Sequence, residues 1–498
     1  MVKSINTIIK ASFRKDRLSL LIVLLVYVFV VLFSLNHCYF WDNVQQTSRE
    51  AHWFYDNNFL SLILPDYSEN KEIFNTGYHP PLAGIMTALL WKIFGMHLWV
   101  SHLFIALWAL IFAYNAFKLL KLLLPDEITS FILPVFLLDS TILAQISIAS
   151  PDIILLASFI LCVRAIFEKR WFILTVSLFF LVFINGRGIL AGGAVFVLYL
   201  IQPGILTKDK FSAGMLIRVI LPFVPAFLLL GLYYGYYFSS KGWTFNDTNS
   251  PWALGWERPE GAGGVIKNLA SYGLRLAENG RVVIWLLGLF ALLGLLHREK
   301  IKSLFKGVNL SLIILFSLLF IFFLYIAIST RLVIGSRYYI GMFFIFSILV
   351  FRILADLISF RTIKIVSFVA LVFLITGNFW IYPDKVAKAW DATLGHWPYY
   401  ELRNECLNYL EINKFDLSKV SGGFCFKGNQ RYVDLKDRDL YISDVPDNKY
   451  FIYSNISNPD DDVINEFSSR GKWEKIQNFK KGCIFVSIYQ NRYFKDDE

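Results

Sequence analysis

The sequence predicts an all-α polytopic membrane domain followed by a small soluble α/β domain. Three observations lead there. The 498 residues are 56% hydrophobic and only 17% charged, whereas soluble domains are roughly 45–50% apolar and about 25% charged. Mean hydropathy is +0.52, and the 47 phenylalanines bring apolar surface that a bilayer can cover and a soluble core cannot. The apolar residues also fall in runs near the roughly 20-residue length of a membrane-spanning helix, up to about Tyr382, where the composition turns polar and stays so.

The expected spans are Leu18–Leu35, Leu98–Leu119, Ile128–Ile148, Ile153–Phe167, Trp171–Ile184, Ile189–Ile201, Leu216–Phe238, Val282–Leu296, Leu310–Ile328, Tyr338–Leu354 and Ile363–Ile381. Arg14, Lys15 and Arg17 precede the first run, and no small-x-small cleavage site follows it. That run reads as an uncleaved first span. Pro81–Gly95 is apolar but only about 15 residues long, which suits an interfacial helix as well as a span. Charge placement favours the interface. The N-terminal cluster, Lys118/Lys121, Lys169/Arg170, Lys208/Lys210, Arg298/Lys300/Lys302/Lys306 and Arg361/Lys364 then share one side, the cytoplasm by the positive-inside rule. The result is about eleven spans, a cytoplasmic N-terminus, and an extracytoplasmic C-terminal domain in an inner or plasma membrane. The net charge of +10 sits in these breaks rather than on a basic face, so nucleic-acid binding is not indicated.

Residues 1–381 form the membrane domain and 382–498 the soluble one. The latter reads as helices near Tyr399–Asn413 and Asp461–Arg470 with strands near Val420–Phe426, Tyr450–Tyr453 and Cys483–Tyr489. Five cysteines (Cys38, Cys162, Cys406, Cys425, Cys483) show no metal spacing. The last three allow one disulfide, with unpaired buried thiols as the alternative. No internal repeat appears.

The chemistry-bearing residues cluster at span edges on the expected outer side. The first loop opens with Trp41-Asp42-Asn43. Arg49, His52, Trp53 and Phe54 follow, and then GYHPPLAG, Gly77–Gly84. His79 before Pro80 and Pro81 marks a rigid extended turn, and Pro81 suits the first helical position. An acidic residue where a helix leaves the membrane is either functional or a headgroup-level carboxylate. Asp152, in SIASPDIILL, is a helix-capping residue or a second carboxylate converging on the same face. Arg187 in INGRGILAGG, Arg337 in GSRYYIG and nearby Arg331 present forks suited to phosphate, with snorkelling as the alternative. Within spans, Arg164, Arg352 and Asp356 fall near cytoplasmic ends, solvated or lipid-facing, while Asp139 is mid-span with no evident partner. The loop from Ser239 to Gly280 carries Trp243, Trp252 and Trp256 with Gly261, Gly263 and Gly264. It suits a mobile cover over a sugar, or an aromatic interfacial anchor.

The order Asp42-Asn43, REAHWFYDNNF (Arg49–Phe59), Pro65 and GYHPPLAGIMTALLWKIFG resembles the start of a GT-C membrane glycosyltransferase. More narrowly, it resembles the dolichyl-phosphate-mannose protein mannosyltransferases and the related lipid A aminoarabinose transferases. The SPD, GRG and RYY turns follow in that family's order. The resemblance covers Leu18–Leu200 well, the later spans weakly and the C-terminal domain not at all. It implies a polyprenyl-phosphate-linked sugar donor and a protein, lipid or glycan acceptor. It also implies that Asp42 orients or deprotonates the acceptor hydroxyl and that Asp152 stands at the second acidic position. Where the family has Asp-Glu, this chain has Asp42-Asn43. Asn43 is neither base nor anionic ligand, which disfavours a divalent cation without excluding one. The competing class is a transporter or flippase of a lipid-linked substrate. Neither inverted repeats nor broken midplane helices are evident for it, and the charged constellation sits in outside loops.

Overall fold

A computed structural model describes residues 2–75, 79–206, 212–243, 247–331, 335–380, 382–383, 386, 388–436, 440–443, 448–458, 461–469 and 471–495, with side chains from Asp16 onward except at 203–206. Gly77 and Tyr78 of the HPP motif, Lys208 and Lys210, Ile381 and Arg470 lie outside the described residues.

The apolar runs form helices where the hydropathy places them. Five are long and apolar enough to cross a bilayer: Asp16–Ser34, Leu98–Leu123, Gly307–Ser329, Ser336–Leu357 and Phe360–Phe379. Three helix pairs are bent by 54°, 57° and 86°: Asp126–Leu137 with Ser140–Ser147, Ala213–Ile220 with Val224–Lys241, and Gly261–Ala277 with Val282–His297. Taken as single spans, they bring the number to eight among the described residues. The remaining expected spans are the helices Asp152–Glu168, Trp171–Ile184 and Gly186–Leu206.

Two of the bends have identifiable causes. In the first pair the helix runs past Pro134 to Leu137, and the chain leaves helical geometry at Asp139, whose ψ is 133°. Asp139 then caps the second helix, its Oδ1 accepting from Thr141 N–H at 2.8 Å. In the third pair, Gly280 turns with φ +79°, and a Cβ there would meet Phe373 O at 2.0 Å, so only glycine fits. Gly263 and Gly264 lie within a 17-residue helix, and Trp243 packs edge-on against Tyr237 at 5.0 Å.

Pro81–Gly95 becomes the 13-residue helix Leu82–Phe94, about 20 Å long and short of a roughly 30 Å hydrocarbon core. Pro81 sits one position before it. The helix packs on the first loop's own helix, Glu50–Asp56. A Cβ on Gly84 would lie 2.6 Å from Glu50 Cβ, so glycine permits the close crossing.

The C-terminal region carries the helix Pro398–Ile412 against a four-stranded sheet in the spatial order Val420–Gly422, Tyr450–Ser454, Ile484–Asn491, Trp473–Lys481. The first pairing is parallel and the others antiparallel. Trp473–Lys481 was not expected. It is an edge strand with little buried apolar pattern and three lysines, a composition that protects an edge. All five cysteines are free, Cys483 exposed. The sheet domain rests on the first loop. Tyr39 N–H donates to Val433 O at 2.8 Å, Ser48 Oγ to Tyr432 O at 2.6 Å, and Asn429 N–H to Glu72 Oε1 at 3.0 Å.

Candidate functional site

The first loop, the Ser-Pro-Asp turn and the Arg-Tyr-Tyr turn meet at one end of the helical bundle. At the centre is Arg337, whose side chain is 5% exposed. It lies in the short 3-10 turn Ser336–Tyr339 that opens the helix Ile340–Leu357. Its Nη2 donates to Asp42 Oδ2, its Nε lies 3.6 Å from Asp152 Oδ2, and its Nη1 lies 3.0 Å from Asp391 Oδ2. Arg187 donates to the two Asp152 carboxylate oxygens through its terminal nitrogens Nη1 and Nη2. It also lies over the Tyr338 ring at 3.9 Å, with Arg337 at 5.2 Å from the same ring. Two cations and three carboxylates, joined by one aromatic ring, make a charge-dense site in a largely apolar surround.

Each member is held by local geometry. Trp41 takes a left-handed φ of +50°, which costs about 1–3 kcal/mol in a non-glycine residue. It turns the chain so that Asp42 leaves the first span toward Arg337, while its ring lies flat on Phe40 at 5.4 Å. Asn43 is 1% exposed, and its Nδ2 donates to Ile148 O at 3.0 Å. That bond ties the first loop to the turn preceding Asp152. On the other side of the bond, Ala149 is also left-handed, at φ +52°. Asp152 opens its helix with its N–H on Ser150 Oγ at 3.2 Å. Arg187 follows Gly186 at the start of its helix. A Cβ on Gly188 would fall 1.7 Å from Leu181 O, so the GRG glycine is a packing requirement that lets the Arg187 turn sit down. His79 is buried, and its Nδ1 accepts from Gly186 N–H at 3.3 Å. Burial, with Arg187 and Arg337 nearby, pushes its basicity well below the usual imidazole range, so it is a neutral acceptor here. Pro80 and Pro81 are buried behind it.

Sequence reasoning missed Asp391 and Arg281. Asp391 belongs to the segment after the last span, in the 3-10 turn Trp390–Ala392, yet its side chain is 4% exposed against Arg337. Burial first, then Asp42 and Asp152, push its carboxyl up to about 6, opposed by Arg337. Asp139 does have a partner. Arg281 Nε and Nη2 each lie 3.0 Å from its oxygens, and Arg281 Nη1 donates to Ser336 O at 2.8 Å. This buried pair braces the residue before Arg337.

Arg331 lies elsewhere. It is 40% exposed and pairs with Glu260 at 3.0 Å and Glu257 at 3.5 Å, so it is not part of the arginine pair. Arg164 and Arg352 are not lipid-facing free charges either. Arg164 bonds Glu168 and Asn115, and Arg352 bonds Asn309 and Leu123 O.

No family model and no curated protein matches the chain. Two solved structures align with it: ArnT from Cupriavidus metallidurans bound to undecaprenyl phosphate (TM-score 0.47) and the same protein in the apo state (TM-score 0.46). Each is 14% identical and covers 72% of this chain, which spans 63% of the length of that protein.

Proposed function

We propose that this protein is a membrane glycosyltransferase that moves a sugar from a polyprenyl-phosphate carrier to an acceptor hydroxyl, on the extracytoplasmic face, with inversion. The observation supporting this most directly is the pair Arg187 and Arg337 set among carboxylates at a span edge, with Asp42 the most open of them at 21% side-chain exposure. A lipid-linked phosphate lies at that depth, and a planar fork matches its oxygens.

The chemistry follows from the charges. The acceptor oxygen forms a bond to the anomeric carbon while the bond from that carbon to the phosphate oxygen breaks. The polyprenyl phosphate departs with the electron pair, and its growing negative charge is met by Arg187 and Arg337. The acceptor proton passes to the carboxylate of Asp42. Asp152 holds Arg187 bidentately and stands beside Arg337, fixing both forks before the donor arrives. Arg337 supplies positive charge among the three carboxylates, which is the task a divalent cation would otherwise perform.

Asp42→Ala, assayed with reconstituted protein and a radiolabelled polyprenyl-phosphate sugar, should lose transfer by about 10²–10⁴-fold while thermal unfolding stays unchanged. Wild-type turnover in that variant sinks the assignment. Movement of intact donor across the vesicle without bond cleavage indicates a carrier instead.

A further inference from the structure

The first loop buries another carboxylate, and the mechanism above does not use it. Glu50 opens the helix Glu50–Asp56 and is 2% exposed. Among the described residues no cation pairs with it, and its Oε1 has no hydrogen-bond partner. Burial alone pushes its carboxyl well above the usual range, which favours the neutral acid. Its stem is clamped where Gly84 of the neighbouring helix closes on it.

Glu50 is not an isolated defect. Tyr233 and Tyr237 stand one turn apart on the helix Val224–Lys241, and both hydroxyls are buried without a hydrogen-bond partner. Glu50 is close enough to Tyr233 to act on its hydroxyl electrostatically, and Asn75 approaches both phenols. Thr47 Oγ1, one turn before Glu50, is likewise buried and unpartnered. The Tyr233 ring lies 6.3 Å from Phe183, in the helix Trp171–Ile184 that leads into the Arg187 turn, and Gly84, which closes on Glu50, lies five residues after His79, whose Nδ1 accepts from Gly186 N–H. Trp243 extends its aromatic wall.

Buried polar groups are nearly always satisfied, and each one left unmade costs about 1–3 kcal/mol. A carboxylic acid and two phenols that share the one amide of Asn75, beside aromatic rings, complement a ligand rich in hydroxyls with apolar C–H faces. We propose that Glu50, Tyr233 and Tyr237, with Asn75 beside them, form the subsite that binds the sugar ring of the donor. The neutral acid donates one hydrogen bond and accepts another, so it selects the orientation of a ring hydroxyl and sets which sugar is accepted. This inference rests on the transferase reading.

The test uses the full-length protein in nanodiscs and two probes, undecaprenyl phosphate alone and a panel of undecaprenyl-phosphate-linked hexoses and pentoses. Glu50→Met, which keeps the length of the side chain and removes both donor and acceptor, should weaken the preferred sugar-bearing probe by about tenfold or more, one hydrogen bond's worth at the least, and flatten discrimination among epimers. Bare undecaprenyl phosphate should bind as before. Tyr237→Phe, which deletes one oxygen, provides the same comparison should Glu50→Met fail to fold. If the variants shift both probes equally, or neither, the subsite is overturned and the transferase reading stands. If the wild type binds neither probe, both fall.

Discussion

Asp391 offers a test in which stability and site electrostatics must move together. The perturbation is Asp391→Asn, which keeps the shape and removes the charge. The folded protein holds the Asp391 proton up to a pH of about 6, against 3.8 for the group's ordinary value. Because the folded state binds the proton more tightly than the unfolded chain, stability is full below the ordinary value and falls as pH rises toward 6. A shift of about two units corresponds to about 3 kcal/mol. At pH 7.5 the asparagine variant should therefore be more stable than wild type by about 3 kcal/mol. Near pH 4 the difference should vanish. One kcal/mol moves the Tm of a 150–250-residue domain by about 2–4 °C, so a gain of several degrees at pH 7.5 is readable by thermal unfolding in detergent. The same change brings three carboxylates against two arginines to two against two, so a phosphodiester donor, whose own charge is constant over this range, should bind more tightly. A lower Tm at pH 7.5 would refute the reasoning, because the Arg337 ion pair would then outweigh burial.

Three further outcomes follow from named contacts. Asn43→Asp sets a buried carboxylate against Ile148 O in place of a 3.0 Å hydrogen bond. It should destabilise by about 1–3 kcal/mol and lower donor-phosphate binding as the Asp152 turn loosens, both measurable on one purified variant. Asp139→Asn keeps the helix cap but leaves Arg281 buried and uncompensated. It should cost about 3–5 kcal/mol, and adding Arg281→Met should recover most of that, whereas additive losses would deny the pairing. Cys483 is the exposed thiol among the five. If the sheet domain is extracytoplasmic, a membrane-impermeant maleimide added to right-side-out vesicles should label wild type and not Cys483→Ser, and labelling only after lysis would invert the topology.

The spans were legible because apolar runs of bilayer length have few other uses, whereas the length of Pro81–Gly95 suited interface or span alike and only the placement of the basic clusters favoured the interface. The C-terminal helices expected near Tyr399–Asn413 and Asp461–Arg470 are observed as Pro398–Ile412 and Asp461–Ser468. Trp473–Lys481 was not legible, since an edge strand guarded by lysines shows no buried alternation. Asp42, Asp152, Arg187 and Arg337 were legible as charges placed where a membrane makes them costly. Arg331 gave the same signal for a local reason, a surface pairing with Glu257 and Glu260. Asp391 was invisible, because after Tyr382 acids are common and one buried among them looks like any other. Arg281 was missed because its partner lies 142 residues away, and only the fold closes that separation.

Asn43 shows how such a reading goes astray and what repairs it. As a sequence letter it is a lost carboxylate, a departure from the Asp-Glu pattern that weakens the first loop's chemistry. In the structure, its amide does what a carboxylate cannot. It donates to a backbone carbonyl, and the acceptor, Ile148 O, lies one residue before the strained Ala149 and four before Asp152. The bond joins the two turns that present Asp42 and Asp152 to Arg337. A residue type that only accepts would push those turns apart. The negative charge that Asn43 does not provide is instead present at Asp391, contributed by the chain beyond the last span. The site thereby depends on the sheet domain's entry segment as well as on the bundle. Substitutions in Trp390–His396 should then disturb donor binding even though no span is touched.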